Sequence, residues 1–191
     1  MKIEHKGDIR LSNDDKSVIS VSLSGYLKIY KKTFGNKRGI EIVNVNGKLS
    51  YSYYSGNKKL PFEPEGSNWL AEILLEVIRK TGIDAERRAA RIYKKGGITA
   101  VLEEVAEIPY DSEKNKTLGN LKISKFSNSQ KASYLKVVKS MSYDSEKAKA
   151  LILYDADYHD NKNLSILYFT ILKGMSYDSY RGKALNNLLV G

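Results

Sequence analysis

Apolar and polar residues alternate through the first third of the chain, and a 3.6-residue period governs the rest. Asp8 to Leu11 is a short strand. Ser17 to Leu23 sets Val18, Ser20 and Ser22 against Ile19, Val21 and Leu23, and turns at Ser24-Gly25. Tyr26, Leu27, Ile29 and Tyr30 form the next strand, rich in aromatic and branched side chains. A loop over Phe34-Gly35-Asn36-Lys37 leads to a strand from Gly39 to Val45, with Ile40 and Ile42 on one side and Glu41, Val43 and Val45 on the other. Asn46-Gly47 predicts a type I′ hairpin, because both central residues of that turn need positive φ. Leu49 to Tyr54 closes the hairpin, and Ser55-Gly56-Asn57 is a further turn. Residues 1–63 therefore read as an antiparallel β-meander.

Pro61 and Pro64 end the alternation. Trp69, Leu70, Ile73, Leu74, Val77 and Ile78 then share one helical face, which predicts an amphipathic helix over 67–80 lying on the sheet. Gly82 stops it. Asp84 is placed to cap a second helix that runs to Tyr93 and breaks at Gly96-Gly97. Residues 64–97 are thus expected to be linking helices packed on the sheet. Beyond them, helix pairs are expected at 99–107 with 111–125, 129–141 with 144–158, and 162–174 with 178–190.

Those pairs carry a repeat. Ile108-Pro109-Tyr110-Asp111-Ser112-Glu113-Lys114 returns as Met141-Ser142-Tyr143-Asp144-Ser145-Glu146-Lys147, and again as Met175-Ser176-Tyr177-Asp178-Ser179-Tyr180-Arg181. Asp111, Asp144 and Asp178 are spaced by 33 and then 34 residues, a period typical of stacked helix pairs. Each copy reads as a structural joint: an apolar residue ends one helix, and the Ser or Asp caps the next. Glu113 and Glu146 suit the positive end of the helix dipole. Leu118, Leu151 and Leu185 follow on the buried face, with Leu121, Tyr154 and Leu188 three residues later. Lys114, Lys147 and Arg181 are expected to lay their stems on the apolar face and send their charge to solvent. Tyr110, Tyr143, Tyr154, Tyr177 and Tyr180 are expected to pack. A ligand or phosphorylation motif would use the same Tyr-Asp-Ser residues, but a recurring joint accounts for their repetition. The fold class expected is α+β: an N-terminal antiparallel β-meander followed by α-helical hairpin repeats, a HEAT/TPR-like solenoid of three pairs over 98–191.

Composition narrows the function. The chain has 191 residues, 41% hydrophobic and 28% charged, ordinary values for a folded domain. No apolar run is long enough to span a bilayer, and residues 1–20 lack a signal-peptide core. That implies a cytoplasmic protein if the chain is complete, and an extracytoplasmic one if a signal or membrane segment has been removed. With no cysteine, disulfides, thiolate catalysis and cysteine-ligated metals are excluded. His5 and His159 are far apart in sequence. Asp155, Asp157, His159 and Asp160 read as a helix end rather than a metal site. Lys95-Gly96-Gly97 lacks the rest of a phosphate loop. No catalytic residue, metal or cofactor is implied.

The net charge is +10, and residues 1–63 hold 12 basic against 6 acidic residues. Two basic groups are candidates for an anionic partner. Arg87, Arg88, Arg91, Lys94 and Lys95 make a stripe on one helix. Lys28, Lys31, Lys32, Lys37 and Arg38 gather near a strand end, interleaved with Tyr26 and Tyr30. Aromatic residues among cations suit nucleic acid; a solvated helix face and a charged sheet edge explain the same residues without it.

The segments Ser22-Leu23-Ser24-Gly25-Tyr26-Leu27-Lys28-Ile29, Trp69-Leu70 through Arg79-Lys80-Thr81-Gly82-Ile83, and Arg88-Ala89-Ala90-Arg91-Ile92 with Gly96-Gly97 give the chain a further likeness. With the repeated joints, it resembles a group of uncharacterised bacterial proteins with a short β region and helical repeats. The joint departs from that group's Ser-Asp-Tyr-Glu-Lys order. Similar regions occur beyond the membrane-embedded zinc peptidase part of some antibiotic-sensor-like proteins. The resemblance implies a sensing or interaction role, and no His-Glu-x-x-His is present. The function expected is non-enzymatic: a regulatory or scaffold domain that binds a protein or peptide. Nucleic-acid binding and a hydrolase-associated sensor domain are the alternatives.

Overall fold

The structure, a computed structural model, describes residues 1–121, 125–153 and 161–190, the last three by backbone alone. It is α+β: an N-terminal antiparallel sheet is followed by helices. The chain divides into two compact units, Met1–Asp84 and Ala85–Gly191.

The first unit holds seven strands and one helix: β1 (Lys2–Lys6), β2 (Ile9–Leu11), β3 (Val18–Val21), β4 (Tyr26–Thr33), β5 (Asn36–Val45), β6 (Lys48–Ser55), β7 (Lys58–Leu60) and α1 (Glu65–Thr81). The main sheet has the order β1-β4-β5-β6-β7, so β4 to β7 form the meander. Two features differ from the sequence pattern. β2 and β3 pair with each other as a separate ribbon, leaving β1 to lie beside β4. β1 and β7 are strands that the pattern does not reveal. Both are edges, and edges carry charge in place of alternation: Lys2, Glu4 and Lys6 on β1, Lys58 and Lys59 on β7.

Turn chemistry fixes the register. Asn46 and Gly47 have φ of 52° and 84°, as a type I′ turn requires. The expected loop over 34–37 is a tighter turn of the same kind. Phe34 and Gly35 alone have positive φ, 46° and 85°, while Asn36 and Lys37 pair with Thr33 and Lys32. Leu27, Ile29, Ile40, Ile42 and Tyr53 face a core shared with Ile9, Leu11, Val18 and Val21 of the ribbon. Trp69, Leu70, Ile73, Leu74, Val77 and Ile78 of α1 close that core. Burying each such large side chain contributes about 1.5–3 kcal/mol.

The second unit contains α2 (Ala85–Ala106), α3 (Asp111–Leu118), α4 (Asn128–Ser140), α5 (Asp144–Leu153), α6 (Lys162–Lys173) and α7 (Asp178–Val190). α2 is broken by non-helical backbone at Gly96 and Gly97, as the paired glycines predict. α3 ends at Leu118 instead of running to 125, with Gly119 at its C-cap. The Ser127 side chain and Gln130 form a reciprocal capping box at the start of α4, and Asn161 caps α6. α2, α4 and α6 lie side by side, and so do α3, α5 and α7. Between these two rows lies one core that includes Val101, Val105, Leu118, Tyr134, Leu135, Leu151, Tyr168 and Ile171.

Two buried tyrosines tie the rows together. Tyr134 Oη donates to the carbonyl of Ala150 at 2.7 Å, and Tyr168 Oη to that of Ala184 at 2.8 Å. These, rather than the tyrosines of the joints, are the packing tyrosines. Tyr110, Tyr143 and Tyr177 are 52%, 69% and 66% exposed. Only Tyr180, from the set expected to pack, lies against the core; Tyr154 falls outside the described residues.

Candidate functional site

The joints are built by a device that local capping does not anticipate. Tyr110, not a Ser or Asp, occupies the N-cap of α3 and makes no side-chain cap bond. The Asp111 carboxylate instead reaches the following joint, where Oδ2 accepts from the backbone N–H of Ser142 at 2.6 Å and of Tyr143 at 2.9 Å. Asp144 repeats the arrangement with Ser176 at 2.6 Å and Tyr177 at 3.1 Å. The amides leading into α5 and α7 are thus satisfied by the aspartates that begin α3 and α5. Pro109 has no N–H to donate in the place that Ser142 and Ser176 hold. Asp178, at the third joint, has a side chain 91% exposed and pairs with Arg181 at 3.1 Å.

The basic residues of the first two joints turn inward, which corrects the expectation of a charge reaching solvent there, while Arg181 stays part-exposed. Lys114 is buried, and its Nζ meets Ser140 Oγ at 3.4 Å. Lys147 lies 3.8 Å from Asp144, and Arg181 donates to the carbonyl of Met175 at 2.6 Å. The local acids and carbonyls hold these cations against the joint.

Between the first two joints lies a groove of about 320 Å³ lined by Tyr110, Asp111, Ser112, Tyr143, Ser145 and Glu146, among others. Burial pushes the Glu146 carboxyl up, but hydrogen bonds from Lys149 and Asn115 outweigh it and hold the group below its ordinary range. The groove is thus lined by two exposed tyrosines and by a carboxylate whose charge is already held by Lys149 and Asn115.

The two basic groups fall in different units. In the helix stripe, Arg88 is withdrawn from solvent and pairs with Glu104 at 2.8 Å. Arg87, Arg91 and Lys95 each have a partner within the chain. Lys94 is exposed beside Tyr93. The stripe is thus only partly open to phosphate.

The strand group is split by the pleat. Leu27 and Ile29 face the core, so Lys31 lies on the α1 side, where it meets Glu76 at 2.7 Å. Arg38, paired with Lys31 across the ladder, shares that side. A cleft of about 430 Å³ opens there between Lys31, Phe34, Asn36 and Arg38 and the α1 residues Trp69, Glu72 and Ile73. Lys28, Lys32 and Lys37 lie on the other face with Tyr26, Tyr30 and Glu41. Tyr30 donates to Glu41; burial and this bond push its phenol up to about 12. The Tyr30 ring rests over Gly39, where an added Cβ would come within 2.6 Å of it. Lys28 and Lys37 stand over the Tyr26 and Tyr30 rings at 5.5 and 5.8 Å.

One residue escaped the sequence pattern. Phe34, at the hairpin tip, is fully exposed. Its signal was a bulky apolar residue directly before a turn glycine, between two pairs of cations.

Among the described residues, no group of three or more His, Asp or Glu side chains could hold a metal. The Asp155–Asp160 segment lies outside the described residues. No helix among those described is long and apolar enough to cross a membrane. No protein-family model matches the chain, and no curated protein or solved structure is detectably similar to it.

Proposed function

We propose that the chain is a non-enzymatic binding protein whose second unit is a HEAT/TPR-like stack of three helical hairpins serving a protein or peptide partner. The observation that carries this reading is the ladder of joint tyrosines. Tyr110, Tyr143 and Tyr177 recur at the repeat period, and each is exposed although it stands beside a buried apolar residue of its own joint. The Asp111 and Asp144 bonds fix the backbone amides of Tyr143 and Tyr177 directly. Rigid, exposed tyrosines contribute large contact area at small entropic cost, which is why they anchor interfaces. A row held at a fixed pitch suits an elongated partner.

The test is a pull-down from lysate with the full chain, at low and high salt, beside the triple variant Tyr110→Ala, Tyr143→Ala, Tyr177→Ala. The reading expects a protein retained at both salts and lost with the triple variant, while the circular dichroism of the variant is unchanged. Retention indifferent to the tyrosines, or recovery only of nucleic acid released by salt, would overturn it.

A further inference from the structure

We propose that the β4–β5 hairpin tip is a membrane-docking element that inserts Phe34 into the surface of an anionic lipid bilayer. The proposal is independent of the repeat surface in the second unit.

The first argument is the turn itself. The β5–β6 turn uses Asn46-Gly47 with φ of 52° and 84°, and the β4–β5 turn uses Phe34-Gly35 with 46° and 85°. The geometry is the same, and asparagine is among the few residues that accept it readily. A bulky side chain at positive φ is disfavoured, and the Phe34 ring is fully exposed and packs on nothing that would offset this. The side chain of Phe34 is therefore better served by a surface outside the chain, and its burial there would offset the cost of its backbone conformation.

The second argument is the ring of charge behind it. The segment Lys31–Arg38 holds Lys31, Lys32, Lys37 and Arg38 and no acid. Lys32 pairs with Lys37 one rung behind Thr33 and Asn36, and Lys31 pairs with Arg38 one rung further back. The pleat sends the first pair to one side of the hairpin and the second pair to the other. Lys31 is shared with Glu76; Lys32, Lys37 and Arg38 are exposed. At about 3.4 Å per residue the cations stand roughly 7–10 Å behind the tip. That offset matches a ring at the acyl boundary with ammonium and guanidinium groups among headgroup phosphates.

The arrangement of the charges selects the bilayer over a nucleic acid. A phosphate backbone needs cations converging on one surface, whereas these surround the hairpin on two sides, so that together they meet a plane set across its axis. A protein partner would need an apolar socket with acids around it, and that outcome is read out below.

The experiment uses the full chain with phosphatidylcholine vesicles, alone or doped with phosphatidylglycerol. Phe34→Trp places a reporter at the tip; Trp69, the only tryptophan of the wild type, is buried and supplies the background. The expected result is sedimentation with the doped vesicles only, a blue shift of the new tryptophan, and its quenching by brominated lipid. Phe34→Ser should lower partitioning about tenfold or more. Lys32→Gln with Lys37→Gln should lower it most at low salt, the deficit shrinking as salt rises, with the urea midpoint of the chain unchanged. Emission from the Phe34→Trp variant that is indifferent to doped vesicles, equal binding by the Phe34→Ser variant, or dependence on Phe34 seen only for a protein or an oligonucleotide would overturn the proposal.

Discussion

Asp111 is bonded to the backbone amide of Tyr143, 32 residues further on, at 2.9 Å. The contact recurs between Asp144 and Tyr177 at 3.1 Å. A carboxylate that would ordinarily serve the start of its own helix instead serves the approach to the helix after next, so the entry to α5 depends on Asp111 and the entry to α7 on Asp144. Asp111 is 6% exposed, and its loss would break two hydrogen bonds from backbone amides to a charged acceptor.

The same substitution should therefore have different costs along the array. Asp111→Ala and Asp144→Ala are expected to lower the stability of the helical unit by about 1–3 kcal/mol each. Asp178→Ala, at a joint whose carboxylate is exposed to solvent, should stay within about 0.5 kcal/mol. Urea unfolding followed by far-ultraviolet circular dichroism measures all three. Equal costs at the three positions would show that the aspartates act as local caps.

The hydroxyls of Tyr134 and Tyr168 make matching bonds across the two helical rows. Tyr134→Phe and Tyr168→Phe should each cost about 0.5–1.5 kcal/mol, since the ring still fills its site and only the hydrogen bond goes. Val101 stands 33 residues before Tyr134 and is fully buried without a hydroxyl, so the site tolerates an apolar side chain. The same urea titration reads the two variants.

Arg88 illustrates how a sequence stripe misleads. Its side chain and that of Glu104 are about one-tenth exposed and 2.8 Å apart. Removing one partner takes an ion-pair partner from a nearly buried charge, so Arg88→Ala should cost about 3–5 kcal/mol. Replacing both by apolar residues, Arg88→Met with Glu104→Leu, should restore most of the loss. If Arg88→Ala leaves the unfolding curve in place and instead weakens oligonucleotide binding, Arg88 belongs to a phosphate-binding face.

The fold class was legible because its two periods are physically distinct. Ile40 and Ile42 point inward and Glu41 outward as alternation requires, and Trp69 through Ile78 bury one stripe of α1. The end of α1 at Gly82, the break at Gly96-Gly97 and the starts of α3, α5 and α7 at the joints were legible, but the end of α3 at Leu118 was not. The edge strands β1 and β7 were hidden because charge protects an edge and erases the alternation that marks a strand. The pairing of β2 with β3 was hidden because pairing is settled by the core and not by order along the chain. The joints were found from their repetition, but not what the aspartates do there. A bond spanning about 32 residues leaves no mark on the local spacing of its partners. The exposure of Tyr143 escaped for the same reason, since Tyr134 and Tyr143 differ only in which face the fold assigns them.

Glu76 contributes to the acid sensitivity of the sheet unit. It accepts from Lys31 of β4 and from Lys80 of α1, each at 2.7 Å, and these bonds hold its carboxyl below the ordinary range. A carboxylate with a lowered folded-state value contributes stability above its unfolded value and loses it as pH falls through the folded one. The contribution should thus be complete above about pH 4.5, the ordinary value for this group, and decline on further acidification. Glu76 is about one-third exposed, so the whole effect should be modest, about 0.2–1 kcal/mol. Trp69 is the single tryptophan and lies in this core, so its fluorescence follows the unit by itself. The difference in urea midpoint between wild type and Glu76→Gln should be present at neutral pH and close in acid. The absence of any gap at neutral pH would show that Glu76 acts through packing of its stem, which glutamine retains, and not through its charge.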